Sequence, residues 1–271
     1  MQNTAAVVRH AIVVNYLTAA LAGTVLFDVG WSITSHRWFL PAAIEGLGFY
    51  VVFRMIALTT QRAGITVAGI ATKMSVVIPT FIGIVALGES VSTAKIAGLV
   101  CGIVSVLLAV GFKFKVSSNA DTDGRFTGWL LPLMVFAGTG LIDASFKLFQ
   151  IRGLTDEQFP GFVITIFGFA FLAAGIHHLM QPGKKVNVSS AGFGVVLGLA
   201  NLGTVYFILK SLALPGWESS IVYPLNNFGI VLASTLAAVV LFGERLTTTT
   251  KLSLCFALSS IFLLYAAIAL H

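Results

Sequence analysis

One short phrase is written twice in this chain, about 155 residues apart when counted from Glu89 to Glu244. An apolar run ends in Ala86-Leu87-Gly88-Glu89, then Ser90-Val91-Ser92-Thr93 lead into another apolar run. Later, Leu241-Phe242-Gly243-Glu244 is followed by Arg245-Leu246-Thr247-Thr248 and a further apolar run. A duplication on this scale constrains the fold strongly, because both copies must build similar local structure. In a membrane protein it also directs attention to the spans beside each copy, since repeat interfaces house the working site.

Composition places the chain in a membrane. Of its 271 residues 57% are hydrophobic and 10% charged, and the mean hydropathy is +0.97. That leaves too little polar surface to cover a water-soluble globule. Runs nearly free of charge, each near the roughly 20 residues needed to cross a bilayer, predict helical spans. Nine are expected, over 10–27, 39–60, 64–87, 93–112, 127–149, 160–180, 190–212, 219–242 and 249–270. A β-barrel would require apolar and polar residues to alternate over about ten positions. Stretches such as 96–112 are apolar all round, so the expected fold is an all-α polytopic transmembrane bundle. Trp31, Trp38 and Trp129 fall at span edges, where an interfacial ring is expected.

The net charge of +6 is spread through short connections. It forms no basic stripe, so no nucleic-acid partner is expected, and the charge suits loops facing anionic lipid. Cys101 and Cys255 lie in apolar runs without metal or redox spacing and are expected to pack as buried thiols.

Residues 113–126 form the longest polar interruption, containing Ser117-Ser118-Asn119 and Asp121-Thr122-Asp123-Gly124. They divide a first repeat, 1–112, from a second, 127–271. The two halves can be laid over each other. Ala11-Ile12-Val13 falls against Phe162-Val163-Ile164, Tyr50 and Arg54 against Tyr206 and Lys210, and Ile65 through Glu89 against Ser220 through Glu244. An odd number of crossings, five, separates the first span from its counterpart, so the halves are expected to be inverted relative to each other. The span 127–149 has no partner. Either the protein has nine helices, or its first repeat lacks a first helix; the second is expected because every other span is matched.

These features resemble the drug/metabolite transporter superfamily, specifically its EamA-type members. The resemblance rests on the paired segments ending in Gly88-Glu89 and Gly243-Glu244, on Lys73-Met74-Ser75 running to Pro79, and on Tyr223-Pro224 with Asn226-Asn227. It covers essentially the whole chain. It implies ten helices in two inverted five-helix repeats, a bacterial-type inner membrane, and movement of small solutes by alternating access. The partners it implies are a small-molecule solute and the bilayer, with a homodimer as an allowed assembly and no cofactor.

Charge inside a bilayer costs at least about 2.5–3.5 kcal/mol, so it marks candidate sites. Glu45, Arg54, Lys73, Asp143, Lys147 and Lys210 lie within predicted spans. Lys73 is near a span centre, too deep for easy snorkelling. It is either a solute or coupling contact or half of a structural pair. Pro79 is expected to free the carbonyl of Ser75. Tyr223, Asn226 and Asn227 present hydrogen-bonding groups on the matching span, as glue between helices or as a solute surface, and Pro224 beside them favours irregular backbone. The substrate-binding candidates are therefore Lys73, Tyr223, Asn226 and Asn227. Glu45 and Asp143 are the candidate ion or proton partners. Asp143 and Lys147, spaced i,i+4, can also neutralise each other. Arg54 and Lys210 are expected to snorkel, Asn15 and Tyr16 to pack, and Glu89 and Glu244 to cap the helices that follow them.

The expected function is a secondary transporter of a small organic solute. The alternative is a non-transporting partner or a degenerate transporter copy. No catalytic residue is expected: HExxH, a mid-span histidine and a Gly-rich nucleotide loop are all missing from the sequence, so neither a metal site nor direct ATP drive is foreseen. Basic residues outside the spans or in their first turn favour one face, with Arg9, Arg62, Lys113, Lys115, Arg125, Lys184, Lys185, Arg245 and Lys251 against Arg37, Lys95 and Arg152. The positive-inside rule then puts the C-terminus outside, whereas the resemblance implies it lies inside.

Overall fold

The computed structural model describes residues 2–27, 34–110, 124–180, 188–242 and 247–269. Ten α-helices account for most of them: α1 (Gln2–Phe27), α2 (Phe39–Ala63), α3 (Ile65–Met74), α4 (Val77–Leu87), α5 (Thr93–Val110), α6 (Gly124–Ile151), α7 (Phe159–Leu179), α8 (Val188–Ala213), α9 (Ser219–Phe242) and α10 (Thr248–Ala269). Among the described residues there is no strand. Among the described residues eight helical segments, counting Ile65–Leu87 as one, are long and apolar enough to cross a membrane, and Thr93–Leu108 is a shorter apolar helix. The architecture is an all-α polytopic bundle. Gly243-Glu244, the interruption at 111–123, Trp31 and the side chain of Trp129 lie outside the described residues.

The span 64–87 is not one helix. It breaks at Ser75-Val76, between α3 and α4. Two hydroxyls compete with the backbone ladder just before the break: Thr72 Oγ1 donates to the Ala68 carbonyl at 2.5 Å and Ser75 Oγ to the Thr72 carbonyl at 2.6 Å. Pro79 cannot donate to Ser75, but that carbonyl is not left free as expected. Ile78 N–H takes it at 3.0 Å, a tighter turn in place of the lost bond. The converse holds at Pro224, where irregular backbone was expected and α9 runs on unbroken.

The helices gather into two compact units that cut across the sequence halves. Unit 1 comprises Met1–Ala57 and Leu148–Ala213, and unit 2 comprises Leu58–Lys147 and Leu214–His271. In unit 1, α1 lies against α7 and α8. Gly194 and Gly198, one turn apart on α8, let the two backbones close together. A methyl group at Gly198 would overlap the Asn15 carbonyl, and one at Gly194 would stand 2.7 Å from Val14 Cβ. Asn201 beyond them donates its amide to Asn15 Oδ1 at 2.8 Å. Tyr16 is fully buried, with its hydroxyl on the Phe49 carbonyl at 3.1 Å. Trp38, expected at the interface, is instead buried, its indole N–H donating to Gln158 Oε1 at 3.1 Å and its ring edge-on to Phe162.

In unit 2, α5 and α10 run antiparallel. Ser105 Oγ donates to the Ser253 carbonyl at 2.8 Å, and Ser260 Oγ donates to the Gly98 carbonyl at 2.6 Å. These bonds are related by the repeat distance: adding 155 to Ser105 gives Ser260, and subtracting 155 from Ser253 gives Gly98. Beside them Phe228 is wholly buried, seated on Gly102, where any added methyl would collide with the ring. Val106, Ile221, Val231 and Leu264 complete that core. The two cysteines do not join it: Cys101 is half-buried and Cys255 is exposed, so the expectation of two buried thiols fails for Cys255.

Candidate functional site

The C-terminus of α4 and the N-terminus of α9 meet in a reciprocal clasp. Gly88 takes a left-handed conformation (φ 69°), ending α4, and Glu89 N–H closes the turn on the Gly83 carbonyl at 3.0 Å. This aims the Glu89 carboxylate at α9. It accepts Ser219 N–H at 2.7 Å, Ser219 Oγ–H at 2.5 Å and Ser220 N–H at 2.8 Å. Two backbone donors left open at the start of α9 are thus satisfied by a negative charge at the positive end of the helix. Glu89 was expected to cap the helix that follows it in sequence. It caps α9 instead, and Ser92 Oγ serves α5 by accepting Lys95 N–H at 3.2 Å.

Glu218 returns the contact. Its carboxylate accepts Ser90 N–H at 2.9 Å and Ser90 Oγ–H at 3.2 Å, and it pairs with Lys95. Lys95, counted above as a loop charge, has no exposed surface. Its ammonium also donates to the Ser90 carbonyl at 2.5 Å and to Ser220 Oγ at 2.9 Å. A cation in the first turn of an apolar helix opposes the helix dipole. That misplacement was the available signal that Lys95 requires a carboxylate. Nothing local identified Glu218 as the partner, because 123 residues separate them.

Deeper along α9 lie the residues singled out from sequence. Asn227 is eight residues from Ser219, about 12 Å along the helix. Its Oδ1 accepts a hydrogen bond from Lys73 Nζ at 3.2 Å, joining α3 to α9 just before the break at Ser75. Asn227 is buried and Lys73 half-buried. Among the described residues no carboxylate lies within ion-pair distance of Lys73, but the charge of Asp143 on α6 reaches it. Between clasp and lysine, Tyr223 is buried and its hydroxyl donates to the backbone carbonyl of Asp143, tying α9 to α6. Gly140, one turn before Asp143, admits the broken helix closely: a methyl there would stand 2.8 Å from the Ser75 carbonyl oxygen. Lys147, one turn beyond, lies in the field of Glu89 and Glu218.

The structure therefore brings together Lys73, Asn227, Tyr223 and Asp143 in unit 2, with Asn226 half-buried on the same helix. Glu45 belongs to unit 1, where it lines a different cavity with Arg37 and Arg152. Lys210, also in unit 1, reaches outward to Asp156 at 3.1 Å, and Arg54 is exposed. No group of three potential metal ligands occurs among the described residues.

The repeat distance gives the Lys73–Asn227 contact a special position. Shifting each residue by 155 converts the pair into Phe228 and Thr72, the immediate neighbours of Asn227 and Lys73. The contact nearly maps onto itself. Lys73 thus stands where the matching helix carries the buried phenylalanine seated on Gly102.

No protein-family model matches the chain. It is 24% identical over 266 residues to an uncharacterized protein of Haemophilus influenzae, covering 96% of this chain and 89% of that one. It is 29% identical over 218 residues to a Bacillus cereus protein provisionally described as a sugar uptake protein, covering 78% of this chain and 71% of the relative. A Bacillus anthracis protein with the same description matches equally. A solved crystal structure shares the fold, with a TM-score of 0.70 at 15% identity over 96% of this chain and 87% of that one.

Proposed function

We propose that this chain is a multi-pass secondary transporter of a bacterial inner membrane. It moves a small polyhydroxylated solute of the sugar class by alternating exposure of the polar core in unit 2. The observation that carries the proposal is the Lys73 ammonium held by the neutral Asn227 amide among apolar helices. An intramembrane charge is costly, and one kept without a carboxylate at ion-pair distance retains its capacity to bind a polar guest. The buried break at Ser75-Val76 lies two residues from Lys73, so the backbone is irregular beside the same charge. The sugar class follows the description of the Bacillus relatives.

The drug/metabolite transporter architecture of two inverted halves belongs to this proposal. It is supported by the pairing of helices at matching places, α1 with α7, α4 with α9 and α5 with α10, and by the serine bonds that exchange under the 155-residue step. Solute sites of inverted repeats lie where matched spans meet, as Lys73 and Asn227 do. Asp143 is the proposed ion or proton partner, and no covalent chemistry is assigned to the chain.

Uptake of radiolabelled sugars into proteoliposomes tests the function. Wild-type protein is expected to accumulate or exchange at least one sugar. Lys73→Gln and Asn227→Ala are expected to slow uptake about tenfold or more, the equivalent of one charge-assisted hydrogen bond. Both variants must elute and melt as folded protein. Folded variants that transport at the wild-type rate would remove the site from unit 2, and wild-type vesicles no faster than protein-free ones would remove the transport reading.

A further inference from the structure

Unit 1 has a cavity of about 790 Å³ that the polar core of unit 2 does not use. Its volume is within the usual range for ligand pockets, about 300–1,000 Å³. Its charged lining comprises Arg37, Arg152 and Glu45, with Gln158, His36 and Trp38 beside them. Several of these residues are held in place by contacts of their own. Arg152 is at the end of α6, where Gly153 turns the chain with φ 100° and Leu154 N–H closes on the Phe149 carbonyl at 3.1 Å. The buried Leu154 anchors that turn, so the Arg152 backbone has a defined position at the rim. Gln158 accepts Trp38 Nε1–H at 3.1 Å and Thr155 N–H at 3.3 Å through the same oxygen. With Oε1 so committed as acceptor, Gln158 has its amide NH2 to offer as a donor. His36 stacks on Trp38 with ring centroids 5.2 Å apart and planes 9° from parallel.

We propose that this cavity binds a small hydroxylated carboxylate, with Arg37 and Arg152 taking the carboxylate and Glu45 and Gln158 taking hydroxyl groups. Two guanidiniums against one carboxylate leave the lining with a surplus positive charge, and the guanidinium fork matches a carboxylate in geometry. Glu45, half-buried on α2, supplies acceptors, which sugar-type hydroxyls need and a simple anion does not. A ligand with both features uses the whole lining, whereas a neutral polyol or a bare anion uses only part of it. The site is independent of the solute contact assigned to Lys73.

D-Gluconate and D-glucitol test this directly, because they differ only in a carboxylate against a hydroxymethyl group; acetate is the carboxylate without hydroxyls. Binding to the purified full-length protein in detergent, followed by calorimetry, is expected for gluconate and about tenfold weaker or undetectable for glucitol and acetate. Arg37→Gln and Arg152→Gln, both at exposed positions that leave folding intact, are each expected to weaken gluconate about tenfold, and Glu45→Gln to narrow the gap between gluconate and acetate. Lys73→Gln is expected to bind gluconate as the wild type does, even where it abolishes uptake. Glucitol binding as well as gluconate, full gluconate affinity in the double arginine variant, or loss of gluconate binding in Lys73→Gln would each overturn the proposal. No gluconate binding at millimolar concentration would overturn it too.

Discussion

Glu89 accepts two hydrogen bonds from Ser219, from the backbone N–H at 2.7 Å and from the hydroxyl at 2.5 Å, across 130 residues of chain. The end of one helix is thereby the cap of another, and the Gly-Glu phrase that first suggested a duplication has a mechanical role in its first copy. Gly88 supplies the left-handed turn that points the carboxylate away from α5 and toward α9. A side chain with a Cβ at that φ would be strained.

Removing this cap should cost stability. Glu89→Ala leaves the Ser219 and Ser220 N–H groups without their acceptor and is expected to destabilise by about 1–3 kcal/mol. Glu89→Gln keeps one acceptor oxygen and should lose less. Melting of the purified protein in detergent ranks them, and Ala and Gln variants that both melt with the wild type would show that the clasp contributes nothing.

The Lys95–Glu218 pair should make stability depend on pH. Glu218 lies outside the membrane spans. Burial pushes its carboxyl up, but hydrogen bonds from Lys95 and Ser90 N–H, with the Lys95 charge, outweigh burial and hold it below the usual carboxylate range. An acid depressed in this way stabilises the fold above its unfolded pKa and loses that contribution as pH falls through its folded one. The difference in stability between wild type and Glu218→Gln is therefore expected to be largest at neutral pH and to shrink progressively as pH falls below about 4. At neutrality it should be about 2–3 kcal/mol, below the upper range for a buried pair because Glu218 keeps 26% of its side chain exposed. A difference that stays constant between pH 7 and pH 3.5 would contradict it.

Helix contact in unit 1 should be sensitive to single methyl groups. Gly198→Ala must push α1 away from α8 or distort the Asn15 carbonyl, with an expected loss of about 1–3 kcal/mol. Gly192→Ala, on the same helix with nothing within 4 Å, is the control and should be neutral or slightly stabilising. Equal melting of the two variants would mean that the helices adjust without cost.

Lys73 and Asn227 should act as a unit. Uptake rates for Lys73→Gln, Asn227→Ala and the double variant form a cycle whose coupling is expected at about 0.5–3 kcal/mol, the range for residues in contact. Strict additivity would mean that their 3.2 Å hydrogen bond does not take part in transport.

The limits of reading this chain from sequence are visible in its lysines. Lys73 stood out because it interrupts a long apolar span, and its amide partner lies on the span that laying the two halves of the sequence over each other set against it. Lys95 did not stand out, since a charge near a span end ordinarily reaches water. Its burial depends on Glu218, a residue with no local reason to face it. The prolines divide the same way. Pro79 and Pro224 each remove an N–H from an apolar span, yet only the first lies beside a break. At Pro79 the hydroxyls of Thr72 and Ser75 turn back onto the helix, while near Pro224 the Ser220 hydroxyl is engaged by Lys95. The hydroxyls beside Pro79 bond carbonyls of their own helix, whereas the one near Pro224 is held by a lysine 125 residues away, a partner no local pattern announces.

The serine contacts between α5 and α10 carry a last consequence. Under the proposed duplication, two identical halves would make one surface meet its own copy, and every change would be felt twice. Within one chain each side can drift alone. Ser253 spends its hydroxyl on the Ser105 carbonyl at 2.9 Å, whereas Gly98, at the matching place, has none to give. A methyl at Gly98 would lie 2.9 Å from Leu264 Cγ. One end of the same seam is fastened by an extra polar bond and the other by closer apolar contact, so the two ends need not loosen under the same conditions.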